Sequence, residues 1–251
     1  MKRGLLYFSI LLIPTLPGQE EDVFDPYLNA PKMIRVQFEY VEVSQQDYLE
    51  LMGMPRKGAD ATPIRKRLQH MVAKGEAKVV ETGMVVCRSG EKATAESIGE
   101  RIYESEYEPS GLSAFPNAGL LDHSVRSTGF FPLIQRTPTS FETRNTGHTI
   151  EVAPNIGAWN RVVEIQLVPE LVHQVGEAVH FEDLDVGGQK HQIRYPIFSK
   201  HSVNTGVTCI DGQYHLLSTV TPTGADGELD PSRKLMIFVK CDILVVKETE
   251  E

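Results

Sequence analysis

The stretch from residue 196 to residue 213 decides the fold, and it reads Pro196-Ile-Phe-Ser-Lys-His-Ser-Val-Asn-Thr-Gly-Val-Thr-Cys-Ile-Asp-Gly-Gln213. From Val203 to Ile210 two sets of side chains alternate, and this period of two predicts a β-strand. The pair Asp211-Gly212 then favours a tight turn, because Gly accepts positive φ freely and Asp tolerates it. The stretch therefore predicts a β-hairpin, followed after a loop by a further strand over residues 235–246.

The three cysteines, Cys87, Cys209 and Cys241, are few for a disulfide scaffold, and their odd number leaves at least one unpaired. If the chain meanders through strands at residues 203–210, 213–220 and 235–246, a third strand separates Cys209 from Cys241. Two strand spacings, about 9.6 Å, exceed the reach of a disulfide. The sequence therefore predicts three thiols that pack as small apolar residues.

Length and composition favour a folded, β-rich protein of one large domain or two small ones. The chain has 251 residues, of which 41% are hydrophobic and 24% charged, and its formal net charge is −9. Binding to a nucleic-acid backbone needs clustered Lys and Arg, and no basic stripe is present in the sequence. We therefore expect no nucleic-acid partner.

The N-terminus has the layout of a secretory signal peptide. Lys2 and Arg3 precede an apolar run from Gly4 to Leu16, and acidic residues follow Gln19. The run falls short of the roughly 20 residues that a membrane-spanning helix needs. We expect an exported chain with a signal peptide over residues 1–19, a linker over 20–32, one folded domain over 33–246 and a short tail over 247–251.

Hydrophobic patterning predicts a mainly β (α+β) fold, an antiparallel sheet with one or two short helices packed on it. A strand over Met33–Val43 changes the parity of its apolar residues near Tyr40, which indicates a β-bulge. Ser44 and Thr62 are expected to cap two short helices. Further strands are predicted at residues 77–87, 92–107, 141–152 and 162–168, with a long loop or weakly patterned hairpin over 108–140 and a polar loop over 173–192.

Taken in order, five pieces of the chain resemble the secretin domain of bacterial type II and type III secretion systems and type IV pili. The pieces lie at residues 36–44, 77–93, 147–156, 196–213 and 235–239. The residues that match the pattern of this family are structural rather than catalytic: Glu42, Gly90, Gly147, Pro154, Pro196, Val203, Thr205, Val207, Asp211, Gly212 and Phe238. The match spans most of the chain after the signal peptide.

The resemblance implies a non-catalytic, oligomeric component of protein secretion or pilus-type transport in the outer membrane or periplasm of a bacterium. In that family, copies form a ring in which each contributes strands to a shared β-barrel, and the partners are other secretion or pilus assembly components. Residues 215–230 depart from the family pattern around the segment that enters the membrane. A soluble periplasmic scaffold that has this fold but no pore therefore stays an open alternative.

A second alternative is a metal-binding or hydrolytic module that uses the polar loop. This loop holds six imidazole and carboxylate groups, His173, His180, Glu182, Asp183, Asp185 and His191. Their spacing matches no known metal loop, so a solvated loop is expected, with no metal and no cofactor.

The remaining candidates also favour structural roles. Gly-x-Ser-x-Gly is absent, and Cys87 beside Arg88 is at best a mildly activated thiol. The carboxylates of Glu39, Glu42 and Glu151 are expected on wet sheet faces, and Trp159 is expected to cover an edge of the core from a turn.

Overall fold

Two packed antiparallel sheets and two short helices make up the protein in a computed structural model that describes residues 30–55, 57–107, 138–184 and 190–246. The expected signal peptide, most of the linker, most of the loop at 108–140 and the tail lie outside these residues. The nine strands are β1 (Lys32–Ser44), β2 (Ala77–Arg88), β3 (Ala93–Tyr107), β4 (Pro138–Ile156), β5 (Val162–Leu184), β6 (Lys190–Ser202), β7 (Thr205–Ile210), β8 (Tyr214–Val220) and β9 (Arg233–Val245). The predicted mainly β fold is confirmed.

The two helices are α1 (Gln45–Met52) and α2 (Thr62–Lys74). Ser44 caps α1 as predicted, because its hydroxyl accepts a hydrogen bond of 3.0 Å from the Asp47 amide. Thr62 is the first residue of α2 rather than its cap, and its hydroxyl accepts a hydrogen bond from the Tyr214 amide. Neither helix is long and apolar enough to cross a membrane.

Sheet A has the strand order β2-β1-β9-β8, and sheet B has the order β3-β4-β5-β6. The long strand β5 pairs with β4 along one side; on the other side its first part pairs with β7 and its later part with β6. All of these pairings are antiparallel. The core lies between the sheets, where apolar residues of β1 and β9 face those of β4, β5 and β7.

The parity change in β1 has a different cause from the one predicted. A register shift does occur at Tyr40 and Val41, but only between β1 and β2, and the pairing of β1 with β9 continues through it. Val41 and Val43 are buried against α1 and α2, on the face of sheet A that points away from sheet B. Both faces of β1 are therefore buried at this end, because the helices cover the second one.

The Asp211-Gly212 turn does not close a hairpin. Its flanking strands belong to different sheets, since β7 pairs with β5 and β8 pairs with β9. Only Gly212 has positive φ, at 76°, and Gln213 donates a hydrogen bond to the Ile210 carbonyl, as in a type II turn. The type I′ hairpin prediction is thus wrong, because a type II turn lacks the twist that would keep its strands paired.

The segment predicted as a polar loop over residues 173–192 is also different. Its described residues, 173–184 and 190–192, belong to β5 and β6, which pair with each other. Solvent reaches both faces of this hairpin, so the segment needs no apolar alternation, and the pattern that signals a half-buried strand is missing. Asp185 lies outside the described residues, as do the side chains of Asp183 and His191.

Candidate functional site

Three of the residues that match the secretin pattern, Gly90, Asp211 and Gly212, lie at the two connections where the chain crosses between the sheets. Gly90 lies in the connection from β2 to β3, and its amide donates a hydrogen bond of 2.8 Å to the Pro154 carbonyl. The Ser89 hydroxyl contacts Asn155 at 3.0 Å and accepts a hydrogen bond from the Ile156 amide. The first crossing is therefore fixed to the end of β4.

The second crossing is held in the same way. The Asp211 amide donates a hydrogen bond of 2.9 Å to the Arg161 carbonyl, and the Gly212 amide donates one of 2.8 Å to the Cys241 carbonyl. The Asp211 carboxylate also accepts a hydrogen bond of 2.8 Å from the Ile243 amide. Asp211 and Gly212 thus connect sheet B to β9 of sheet A, which is a structural role and not a chemical one.

The other matching residues are distributed along the strands. Phe238 is fully buried in the core beneath the helices, and Val203 and Val207 pack against core clusters. Thr205 pairs with Leu167 of β5, and Pro196 pairs with Glu177 in the distal hairpin. Gly147 has φ of 122°, and a Cβ there would lie 1.9 Å from the Ser97 carbonyl oxygen, so this position accepts only Gly.

Each of the candidate carboxylates forms an ion pair with an Arg or Lys side chain. Glu42 contacts Arg233 at 2.7 Å, and Glu151 contacts Lys92 at 2.6 Å. Glu39 is ion-paired with Arg65 and also accepts a hydrogen bond of 3.1 Å from the Tyr214 hydroxyl. The wet-face prediction is wrong for Glu39 and Glu42, whose side chains are 14% and 20% exposed, and fits only Glu151, at 44%. The three are not placed as an acid/base pair.

Nucleophilic chemistry at Cys87 is opposed by its surroundings. The side chain is buried, and burial, with the nearby charge of Glu91, raises the pKa of the thiol. The prediction that Cys87 is a buried strand cysteine is confirmed. Trp159, by contrast, does not cover the core: its side chain is 87% exposed, and its φ of 54° places it at the tip of the turn between β4 and β5.

Three histidines of sheet B contribute to a polar patch inside the sandwich. The rings of His173 and His201 lie 5.7 Å apart, and Ser199 Oγ contacts His201 Nε2 at 3.1 Å and donates to Thr223 Oγ1 at 3.0 Å. His148 Nδ1 lies 3.7 Å from a Glu81 carboxylate oxygen. Burial lowers the pKa of both His173 and His201.

This patch does not have the form of a metal or hydrolytic site. His180 stacks on Tyr195, with ring centroids 4.8 Å apart, away from the His173–His201 pair. Within the described part of the chain, no three His, Cys, Asp or Glu side chains are grouped so that they could hold a metal ion. Ser199 and His201 are both buried, so a substrate in solution does not reach the Ser199 hydroxyl.

The distal part of sheet B is the exposed surface that sequence reasoning missed. Beyond the core, the strands β3, β4, β5 and β6 continue as an extension that solvent reaches on both faces, and Ile102 and Phe141 are 63% and 59% exposed there. Within the described residues, β3 pairs only with β4, and β6 pairs only with β5. The backbone groups on the outer sides of β3 and β6 therefore have no strand partner among these residues.

The edge strands of this extension carry opposite charge. β3 contains four glutamates, Glu96, Glu100, Glu104 and Glu106, against one arginine. β6 contains Lys190, Arg194 and Lys200 and no acidic residue. The charged residues can be counted from the sequence, but no local sequence pattern identifies the two segments as the edge strands of one sheet.

Side chains bridge the two edges within one chain. The sheet curls so that the Tyr195 hydroxyl of β6 donates a hydrogen bond of 3.1 Å to the Ser105 carbonyl of β3. The rings of Tyr103 and Phe198 lie 5.9 Å apart, also between the two strands. In the described residues no strand pairing joins β3 to β6, so these contacts between the edges are made by side chains.

Comparisons with known proteins return secretins among solved structures. The InvG secretin domain β-barrel from the Salmonella SPI-1 injectisome is 9% identical, with 88% of this chain and 65% of that chain covered and a TM-score of 0.41. The secretin of the ETEC AspS–GspD complex is 12% identical, with 86% and 50% covered and a TM-score of 0.40. The V. cholerae type IV competence pilus secretin PilQ is 10% identical, with 86% and 60% covered and a TM-score of 0.34.

The chain thus spans 50% to 65% of the length of these three structures. No protein-family model and no curated protein sequence matches it.

Proposed function

We propose that this chain is a non-catalytic, secretin-like protein of the bacterial envelope that assembles with copies of itself into a ring at the outer membrane. In this role it is a component of protein secretion or of pilus-type transport, with other secretion or pilus components as partners. The order of the five sequence pieces supports the family, and the export signal expected at residues 1–19 supports the compartment.

The single observation that carries the ring is the pair of open, oppositely charged edges of sheet B. When β6 of one copy lies beside β3 of the next, the contact is head-to-tail, and such contacts close into rings when the rotation per copy permits. Strands pair at a spacing of about 4.8 Å, which brings the cations of one edge next to the glutamates of the other. The same charges oppose pairing of β3 with β3 or of β6 with β6.

The exposed positions of the charges fit this contact. Arg194 and Lys200 lie near Glu177 and Glu170 of β5, at 3.9 and 2.7 Å, but their side chains are 55% and 51% exposed and remain accessible to a neighbouring copy. Glu100 and Glu106 on β3 are also exposed. Because attraction between exposed charges is screened by salt, the assembly should weaken as ionic strength rises.

A periplasmic scaffold with the same ring contact but no pore is the second candidate, and the glutamates of β3 favour it. Glu96, Glu100 and Glu104 alternate with Ile98 and Ile102 along one face of this strand. Carboxylates on a lipid-facing strand surface cost free energy that increases with depth in the membrane. Such a face suits an aqueous surface better than a lipid one.

The experiment that tests the proposal combines fractionation with mass measurement. The full chain is expressed with its N-terminal segment in a Gram-negative host, membranes and soluble fractions are separated, and the native mass is measured at low and high salt. We expect an assembly of many copies that dissociates at high salt. Retention in membranes after an alkaline wash supports the outer-membrane form, whereas release by the wash supports the scaffold.

Charge reversal then tests the edge contact itself. The pair Glu100→Lys with Glu106→Lys and the pair Arg194→Glu with Lys200→Glu should each abolish the assembly, and the chain with all four changes should assemble again. The matched control for the Glu100→Lys/Glu106→Lys pair is Glu50→Lys with Glu76→Lys, which changes net charge by the same amount and sign at exposed positions away from sheet B. A monomeric parent chain at low salt, or double variants that assemble like the control, would overturn the proposal.

A further inference from the structure

We propose that Cys209 and Cys241 form a disulfide that joins the two sheets beside the Asp211-Gly212 crossing. The thiols are free in this structure, and all three cysteines are buried. The prediction that a third strand separates this pair is wrong, because β7 and β9 lie in different sheets that face each other. The two side chains therefore meet across the core instead of lying two strands apart.

The two thiols belong to one cluster of the core. Cys209 and Cys241 have no exposed surface and both lie in the cluster between the sheets. Their interaction lowers the pKa of Cys209 and raises that of Cys241. A disulfide of about 2.05 Å needs a Cα separation below about 7 Å, and the approach of the β7 end to β9 at Gly212 and Cys241 favours such a separation.

The backbone next to the pair is held in place by the crossing itself. Gly212, three residues after Cys209, donates its amide hydrogen to the carbonyl of Cys241 at 2.8 Å. The Asp211 carboxylate accepts from the amide of Ile243 at 2.8 Å. These bonds hold the end of β7 against β9 at Cys241 and at Ile243, two residues later, which limits the motion that would separate the thiols.

The third cysteine, Cys87, lies too far from Cys241 to form a disulfide with it. Cys87 of β2 lies opposite Ile34 of β1, whereas Cys241 of β9 lies opposite Val36 of β1. β1 therefore separates Cys87 from Cys241 by two strand spacings, about 9.6 Å, beyond the Cα separation of about 7 Å that a disulfide tolerates. The bond is expected between Cys209 and Cys241, with Cys87 left as a thiol.

The oxidant is a small-molecule disulfide such as oxidised glutathione. One thiolate attacks it and releases one glutathione thiol; the second protein thiolate then attacks the mixed disulfide and releases the other. Two protein thiols lose two protons and two electrons, and the oxidant becomes two thiols. The interaction of the two thiols raises the pKa of Cys241 and lowers that of Cys209. Both side chains are fully buried, so the oxidant does not reach them in the folded state and the bond forms fastest during folding.

The inference is independent of ring formation, because the bond lies within one chain. The full chain is unfolded in guanidinium chloride, refolded with a mixture of oxidised and reduced glutathione, alkylated and digested for mass analysis. We expect one alkylated cysteine, Cys87, and a Cys209–Cys241 linked peptide that is about 2 Da lighter than the two thiol peptides together. The melting temperature should exceed that of chain refolded in reductant by about 5–15 °C.

Two kinds of control show whether a difference in melting temperature comes from this disulfide. Comparing the same chain after oxidised and reduced refolding needs no substitution, so a misfolded variant cannot confuse it. Cys87→Ala should keep the difference in melting temperature, whereas Cys209→Ala and Cys241→Ala should each remove it. Three alkylated cysteines after oxidative refolding, a linked peptide that contains Cys87, or equal melting temperatures would overturn the inference.

Discussion

The amide of Gly90 donates a hydrogen bond of 2.8 Å to the carbonyl of Pro154, which joins the first crossing between the sheets to the end of β4. The second crossing is joined to the start of β5, because the Asp211 amide donates a hydrogen bond to the carbonyl of Arg161, which lies between β4 and β5. Both crossings are thus fixed to the turn between β4 and β5. Residues far apart in the chain form one structural junction at this end of the sandwich.

Gly147→Ala should destabilise the protein strongly. Its φ of 122° is unfavourable for any residue with a Cβ, and that atom would lie 1.9 Å from the Ser97 carbonyl oxygen of β3. We expect a loss of about 2–4 kcal/mol in the free energy of unfolding, measured by urea denaturation. Gly99→Ala is the matched control in the paired strand, where a Cβ meets nothing nearer than 3.9 Å. Equal losses for both variants would show that the close approach of β4 to β3 is absent.

Phe238→Ala should remove part of the core beneath the helices. The ring is fully buried among residues of β1, α1 and α2, so its truncation leaves a cavity. The expected loss is about 3–5 kcal/mol in the free energy of unfolding. Leu229→Ala, at a side chain that is 67% exposed, should change it by less than about 0.5 kcal/mol. A small effect at Phe238 would contradict the packing of the helices on sheet A.

Asp211→Ala should weaken the second crossing. The carboxylate accepts the hydrogen bond from Ile243, and its removal leaves that amide without this acceptor. We expect a loss of about 1–2 kcal/mol in the free energy of unfolding. Asp211→Asn keeps an acceptor oxygen at this position and should lose less. Hydrogen exchange at the Ile243 amide gives a local readout: exchange should accelerate in the Ala variant, and unchanged exchange would contradict the assigned bond.

The elements with local signals could be predicted from sequence, whereas the strand partners could not. Ser44 caps α1 because its side chain and Asp47 interact within one turn, and the alternation in β1 reports its buried positions. The Asp211-Gly212 pair is compatible with a hairpin turn and with a type II crossing, since both accept Gly212 at positive φ. Which strands lie beside β7 and β8 depends on contacts with β5 and β9, distant in the chain.

The same distinction applies to the candidate site. The carboxylate of Glu151, which is 44% exposed, could be assigned to a wet face from its alternation, whereas Glu42 is only 20% exposed and contradicts that assignment. Their partners Lys92 and Arg233 follow from the sheet topology. The rings of His173 and His201 meet because β5 pairs with β6, and no short spacing in the sequence signals that pair. The charges of β3 and β6 become informative only once both strands are known to be edges.

Acid should destabilise the fold through His173 and His201 before most carboxylates titrate. Burial lowers the pKa of each imidazole below its ordinary value of about 6.5. A charge on His173 lowers the pKa of His201 further. For His173, Lys78 disfavours the charged form and Glu42 favours it. The unfolded chain therefore binds more protons than the folded chain as pH falls through about 6.5, so the free energy of unfolding decreases with falling pH until the lowered values are passed.

We expect a decrease of about 1–3 kcal/mol in the free energy of unfolding between pH 7 and pH 5, from urea denaturation at fixed ionic strength. The double variant His173→Gln with His201→Gln should flatten this dependence. It should not abolish it, because burial also lowers the pKa of His215. His70→Gln on the exposed side of α2 is the control and should keep the parent slope. If the double variant keeps that slope as well, the two buried imidazoles do not titrate with unfolding, and the polar patch between β5 and β6 is more open to water than this structure shows.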